Sequence, residues 1–184
     1  MNINQNFNVL WLTGMSGSGK STLASYLAEF LTNRGYKTRI IDGDNVRDKD
    51  EKKLRFGYED VLKNNLRIAE FCLDLKNENF DIVIVPVISP YNEVRKKVQV
   101  LLNPFLHLIY IKSDLNSLKD RDTKGLYAAS DRGEIVDLIG YSDENPYDEP
   151  NDPSIVINTC NNTTLGESKN KLLEYVKDYV IIDV

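Results

Sequence analysis

Residues 14–22 read Gly-Met-Ser-Gly-Ser-Gly-Lys-Ser-Thr, a complete phosphate-binding loop, and such a loop has meaning only between a buried strand and the start of a helix. Both flanks are present. Val9-Leu10-Trp11-Leu12 before it is short, apolar and strand-like, and Leu23–Leu31 after it has helical periodicity. Gly14, Gly17 and Gly19, with Ser16 and Ser18 between them, let the backbone wrap an anion, and the N–H groups of the loop and helix start point at it. Lys20 can reach β- and γ-phosphates, Ser21 can ligate Mg²⁺, and Thr22 closes the motif. The pattern implies binding of a nucleoside triphosphate.

The chain has 184 residues, which suits one domain over 1–184 and is short for two. Apolar residues make up 41% and charged residues 28%, ordinary values for a globular protein. A net charge of −5 supplies no basic field to hold nucleic acid, so an anionic substrate must be captured by local donors. Met1–Asn8 lacks the basic-then-apolar order of a secretion signal, and no apolar run approaches the roughly 20 residues that span a bilayer. The expectation is a cytoplasmic protein with no membrane partner. Cys72 and Cys160 make neither a disulfide framework nor a metal site, and both read as reduced structural thiols. His107 lies inside the apparent strand Phe105–Ile111 and reads as structural. The chemistry therefore has to come from phosphate-handling groups, carboxylates and a metal.

Strands and helices alternate along the chain. Gly35 ends the first helix, and Thr38–Ile41 reads as a strand running into Asp42-Gly43-Asp44. A charged stretch from Arg47 to Arg55 precedes a helix over about Tyr58–Lys76. Phe80–Val87 reads as a strand buried on both faces, with Pro86 at or near its end because proline cannot donate to a sheet ladder. A helix over Tyr91–Leu102, the strand Phe105–Ile111, a short helix from Asp114 to Asp120, a strand Ser154–Ile157 and a closing helix Thr164–Val180 follow. This order predicts an α/β fold in three layers, a P-loop kinase arrangement with about five parallel strands and helices on both faces. Ligands then bind beyond the carboxyl ends of the strands. Residues 122–153, rich in Gly, Pro, Asp and Asn with little periodicity, read as a lid that excludes water during phosphoryl transfer.

Phosphoryl transfer needs a cradle, a metal, a base that orients the acceptor, and cations for the spread negative charge. Asp42 and Asp44 lie two apart at a strand's carboxyl end and point the same way. Either can accept the proton of an attacking hydroxyl while the other holds Mg²⁺ through water. Arg47 is placed to grip an acceptor's phosphate. Ser89-Pro90-Tyr91 follows the buried strand and opens a helix, so its N–H groups also suit an anion. Arg121 and Lys124 flank the start of the lid, where cations can meet the transferring phosphate.

Taken in order, residues 14–22, Asp42-Gly-Asp-Asn-Val-Arg47, Ile88-Ser-Pro-Tyr91, Arg121-Asp122, Lys124-Gly-Leu-Tyr127 and Gly133-Glu-Ile135 resemble the adenylylsulfate kinases over roughly residues 8–160. That family phosphorylates the ribose 3′-hydroxyl of adenosine 5′-phosphosulfate with MgATP. The resemblance implies that Asp42 and Asp44 serve the metal and the acceptor hydroxyl, and that Arg47 holds the acceptor. It further implies that Phe56 stacks on the acceptor's adenine, that Asn64 and Ile88 bind the acceptor, and that Ser89 lies on its phosphosulfate side among the catalytic residues. Arg121 would serve the ATP side, and the resemblance also implies a homodimer.

The chain departs from the family on the acceptor side. The family's Asp-Arg pair in the helix after Phe56 reads Asp60-Val61, and its Asn-Phe-Thr-Gly lid stretch reads Asp137-Leu138-Ile139-Gly140. Leu138 thus replaces the second aromatic of the adenine sandwich. The segment after Tyr127 becomes Ala128–Arg132, and Ser142–Asn145 is slightly expanded. An arginine–anion contact is worth roughly 1.5–3 kcal/mol and one face of a base stack about 1–3 kcal/mol. Two acceptors therefore stand open: adenosine 5′-phosphosulfate, with Arg132 or Lys124 compensating, or another 5′-substituted nucleotide such as cytidine diphosphoramidate. A nucleotide-dependent switch without transferase activity is the reading from a different class.

Overall fold

Strand β1 (Asn8–Thr13) lies at the centre of the sheet, and its side chains alternate between two apolar layers. Leu10 and Leu12 pack with Leu23, Leu27 and Leu31 of helix α1 (Lys20–Thr32) and with Leu172 and Val176 of α6 (Leu165–Tyr179). Val9 and Trp11 pack on the opposite face with Ile68, Ala69 and Cys72 of α2 (Tyr58–Asn77) and Val98 and Leu102 of α3 (Asn92–Leu102). The computed structural model describes residues 7–43 and 57–181. The remaining described elements are β2 (Thr38–Ile40), β3 (Ile82–Pro86), β4 (Leu106–Lys112), α4 (Leu115–Arg121), α5 (Leu126–Asp131) and β5 (Ile155–Asn158).

All strand pairs are parallel, in the order β2-β3-β1-β4-β5. The three-layer α/β fold with five parallel strands is the one expected. From β1 the chain passes to β2 at one edge, returns to β3, and then crosses to β4 on the other side of β1. The reversal leaves a crevice at the carboxyl ends of β1 and β3, the place where such sheets bind ligands. Pro86 is the last residue of β3, opposite Leu12, where its missing N–H costs the ladder nothing; Val87 resumes the bonding by donating to the Leu12 carbonyl at 3.0 Å.

Boundaries follow local chemistry. Gly35 stands in the left-handed region just past α1 and donates to the Thr32 carbonyl. Asp114 caps α4 by accepting from the Ser117 amide, and Thr164 with Glu167 forms a capping box at α6. His107 is structural: its ring nitrogens lie 2.7 Å from the Tyr175 hydroxyl and 3.1 Å from Asn8 Oδ1, joining β4, α6 and β1. Both cysteines are free; burial pushes the Cys72 thiol up to about 12. Among the described residues no helix is long and apolar enough to cross a membrane.

The stretch 122–153 carries more structure than its composition suggests. It contains α5, and Tyr127 and Leu138 bury against Leu118 of α4 with Met15, Leu126, Ile135 and Tyr141 around them. A six-residue helix is too short to show a 3.6-residue period in the sequence, so it reads as loop.

Candidate active site

The phosphate-binding loop is held by its carbonyl oxygens. Lys20 Nζ donates to the carbonyls of Gly14 and Met15 at 2.8 Å each, and the residue as a whole is buried. Tyr127 donates its hydroxyl to the Ser16 carbonyl at 2.8 Å, and Thr159, just past β5, donates to the Ser18 carbonyl at 2.9 Å. Four carbonyls that would repel an anion are thereby engaged by donors from the loop's own lysine, from α5 and from the residue just past β5. Such an arrangement suits a nest of N–H groups for phosphate. Gly14 is required by space: a Cβ there would lie 2.5 Å from the Ile111 carbonyl oxygen and 2.8 Å from Ser18 Oγ.

A cavity of about 500 Å³ opens beside this loop. Ser16, Gly17, Gly19, Lys20, Ser21 and Thr22 form its floor. Asp42 and Ile88 line one end, beyond the carboxyl ends of β2 and β3, and Arg121 and Lys124 line the other with Thr159, Cys160 and Asn161. Arg121 is fixed by donating from Nε to the Ser117 carbonyl at 2.9 Å and from Nη2 to Ser113 Oγ at 2.5 Å. The Cys160 thiol and the Ser117 amide and hydroxyl hold the Asp114 carboxyl well below the usual carboxylate range. Asn161 is anchored by its backbone amide on Ser117 Oγ and by its side chain on Asp120. A phosphate-binding floor therefore runs into a polar slot bounded by a fixed guanidinium, the shape a nucleoside triphosphate needs.

The expected residues divide four ways. Ser16, Gly17, Gly19, Lys20, Ser21, Thr22, Asp42, Ile88, Arg121 and Lys124 share the cavity. Gly14 and Ser18 support its floor from beneath. Asn64, Ser89 and Leu138 do not line it. Asn64 is fully buried on α2, with its amide 3.4 Å from the Gly43 carbonyl, and its Oδ1 has no partner among the described residues. Ser89 is buried with φ of 45°, a left-handed conformation that costs an L-residue about 1–2 kcal/mol, and its Oγ also lacks a partner among the described residues. Leu138 is packed in a small core with Leu118 and Tyr127, 8% exposed, and Val61 is fully buried on α2. Asp44, Arg47 and Phe56 lie outside the described residues.

At the N-terminus of α3 the Asn92 amide donates to the Asp148 carboxylate at 3.0 Å. The chain supplies its own anion there. Thr13, Arg95, Tyr147 and Thr159 belong to no motif quoted from the sequence, and Tyr127 enters there only as the end of Lys124-Gly-Leu-Tyr127. Arg95 did leave a signal: it shares the buried stripe of α3 with Val94, Val98 and Leu102, where a charge is out of pattern.

A family model described as adenylylsulphate kinase matches residues 6–158. The adenylyl-sulfate kinase of Bacillus licheniformis is 42% identical over 172 residues, which cover 93% of this chain and 85% of that one. That of Bacillus pumilus is 41% identical over 176 residues, 95% of this chain and 87% of its own. Among solved structures, the Mycobacterium tuberculosis APS kinase in complex with AMPPNP and APS superposes with a TM-score of 0.78 at 27% identity, covering 94% of this chain and 98% of that chain.

Proposed function

The chain belongs to the adenylylsulphate kinase family and is a nucleotide kinase, and we propose that it transfers the γ-phosphoryl of ATP to the ribose 3′-hydroxyl of adenosine 5′-phosphosulfate. The observation that carries this reading is the shared cavity. It brings Lys20, Ser21, Asp42, Arg121 and Lys124 around one floor, so cradle, metal donors and cations face the same phosphates.

In the proposed step the acceptor's 3′-oxygen bonds to the γ-phosphorus as the bond to the β–γ bridging oxygen breaks. Lys20 neutralises the β- and γ-oxygens, and Arg121 serves the ATP side. Lys124 faces the phosphates from the lid. Asp42 or Asp44 accepts the hydroxyl proton; Arg47, Phe56, Asn64 and Ile88 hold the acceptor, with Ser89 on its phosphosulfate side. A hydroxyl and a carboxylate in one cavity are hard oxygen donors that fit Mg²⁺, which would be held by Ser21 and Asp42. When bound, Mg²⁺ supplies further charge neutralisation on the triphosphate. In the same reading the enzyme works as a homodimer, which sedimentation velocity checks.

Val61 is fully buried and Leu138 packs in the small core with Leu118 and Tyr127, so in this reading the acceptor relies on other residues for its grip. The test is transfer of γ-labelled phosphate from ATP to adenosine 5′-phosphosulfate. Label that a 3′-nucleotidase removes from the product supports the reading. Label released only as inorganic phosphate contradicts it.

A further inference from the structure

Arg95 of α3 is 3% exposed and lies outside the cavity, yet its guanidinium ties two distant segments together. Nη1 donates to the Ser89 carbonyl at 2.5 Å. Nη2 donates to the Asp148 carbonyl and to Asn92 Oδ1, both at 2.6 Å. The guanidinium also stands 5.6 Å from the centre of the Tyr147 ring. The Tyr147 hydroxyl is 2.9 Å from Thr13 Oγ1, and Thr13 reaches the Ile88 carbonyl at 2.6 Å. Because Thr13 has a single hydroxyl proton and gives it to a carbonyl, Tyr147 must be the donor to Thr13. A second route thus runs from Tyr147 through Thr13 to the same segment that Arg95 holds directly. Asp148, meanwhile, accepts from the Asn92 amide.

Ile88 lines the cavity and Ser89 follows it in a left-handed conformation, so this turn keeps its shape only while something external holds it. Tyr147 and Asp148 belong to the returning end of the 122–153 segment. We propose that Arg95 is a positioning residue: it clasps the Ile88–Ser89 wall to the returning lid segment and so sets the acceptor side of the site. This deepens the phosphoryl-transfer reading and rests on it. The guanidinium's planar fork reaches the Ser89 and Asp148 carbonyls at once, which the single ammonium of a lysine cannot reproduce.

Arg95→Lys keeps the charge and loses the fork. Its kcat/KM for adenosine 5′-phosphosulfate should fall by about tenfold or more while the KM for ATP stays within about twofold. Tyr147→Phe, a milder change, should act in the same direction, and the double variant should be less impaired than the product of the two single effects. Unchanged kinetics in Arg95→Lys, or parallel rises in both KM values, would overturn the proposal, the second because it marks a general loss of structure. Hydrogen exchange separates this outcome from failure of the function itself. If the wild-type protein does not use adenosine 5′-phosphosulfate, the substrate reading falls. Faster exchange in Arg95→Lys confined to residues 86–91 and 145–150 still supports the clasp, and unchanged exchange in both segments overturns it.

Discussion

Tyr127, in α5, donates its hydroxyl to the carbonyl of Ser16, in the phosphate-binding loop, across 2.8 Å. Burial pushes this phenol up to about 12, so the donor persists at every physiological pH. The contact ties α5 to the loop. Tyr127→Phe leaves the Ser16 carbonyl without that donor, at a cost of roughly 1–3 kcal/mol for a buried acceptor. Calorimetry with a non-hydrolysable ATP analogue should show affinity lowered about tenfold. Unchanged affinity would mean that the contact does not shape the loop.

Lys20 bonds the Gly14 and Met15 carbonyls and lines the cavity, and in the proposed mechanism its charge acts on the transferring phosphate. Lys20→Ala should lower kcat by roughly 10²–10³-fold, since preorganised charge acts chiefly in the transition state. A near-normal kcat would remove Lys20 from the mechanism.

Gly43 packs so closely on β3's exit that a Cβ would lie 2.7 Å from Val87 Cγ2. Overpacking of this kind costs about 1–3 kcal/mol. Gly43→Ala should lower the urea midpoint, and adding Val87→Ala should recover part of the loss by making room. A double variant less stable than the sum of the singles would show that Gly43 is needed for another reason.

Burial holds the His107 imidazole below its ordinary 6.5, so the folded protein favours the neutral ring. Below pH 6.5 the unfolded chain binds a proton that the folded one resists. His107 therefore contributes fully above pH 6.5, and its contribution is lost as pH falls from 6.5 to the folded value. Urea denaturation at pH 7.5 and 5.5 should show a smaller pH effect in His107→Gln than in the wild type. Equal pH effects would show that His107 is not the titrating group.

The alternation of Leu10 and Leu12 with Val9 and Trp11 announces a strand covered on both faces, and the loop after it announces the phosphate site. Those signals are local, and the structure follows them. The contacts that shape the site are not local. Tyr127 to Ser16 spans 111 positions and Thr159 to Ser18 spans 141, so no periodicity encodes them. Asp148 at the start of α3 was invisible for the same reason. Leu138 shows the converse, a position read as part of a binding wall that the fold uses to close a small core.

The most direct test of the central claim is acceptor-dependent ADP release from MgATP with adenosine 5′-phosphosulfate, cytidine diphosphoramidate, plain nucleotides and no acceptor. The account predicts strong turnover with adenosine 5′-phosphosulfate, little with the others, and near-background release without an acceptor. Preference for the cytidine compound would show that Val61 and Leu138 mark a changed substrate, and release independent of any acceptor would contradict kinase activity itself.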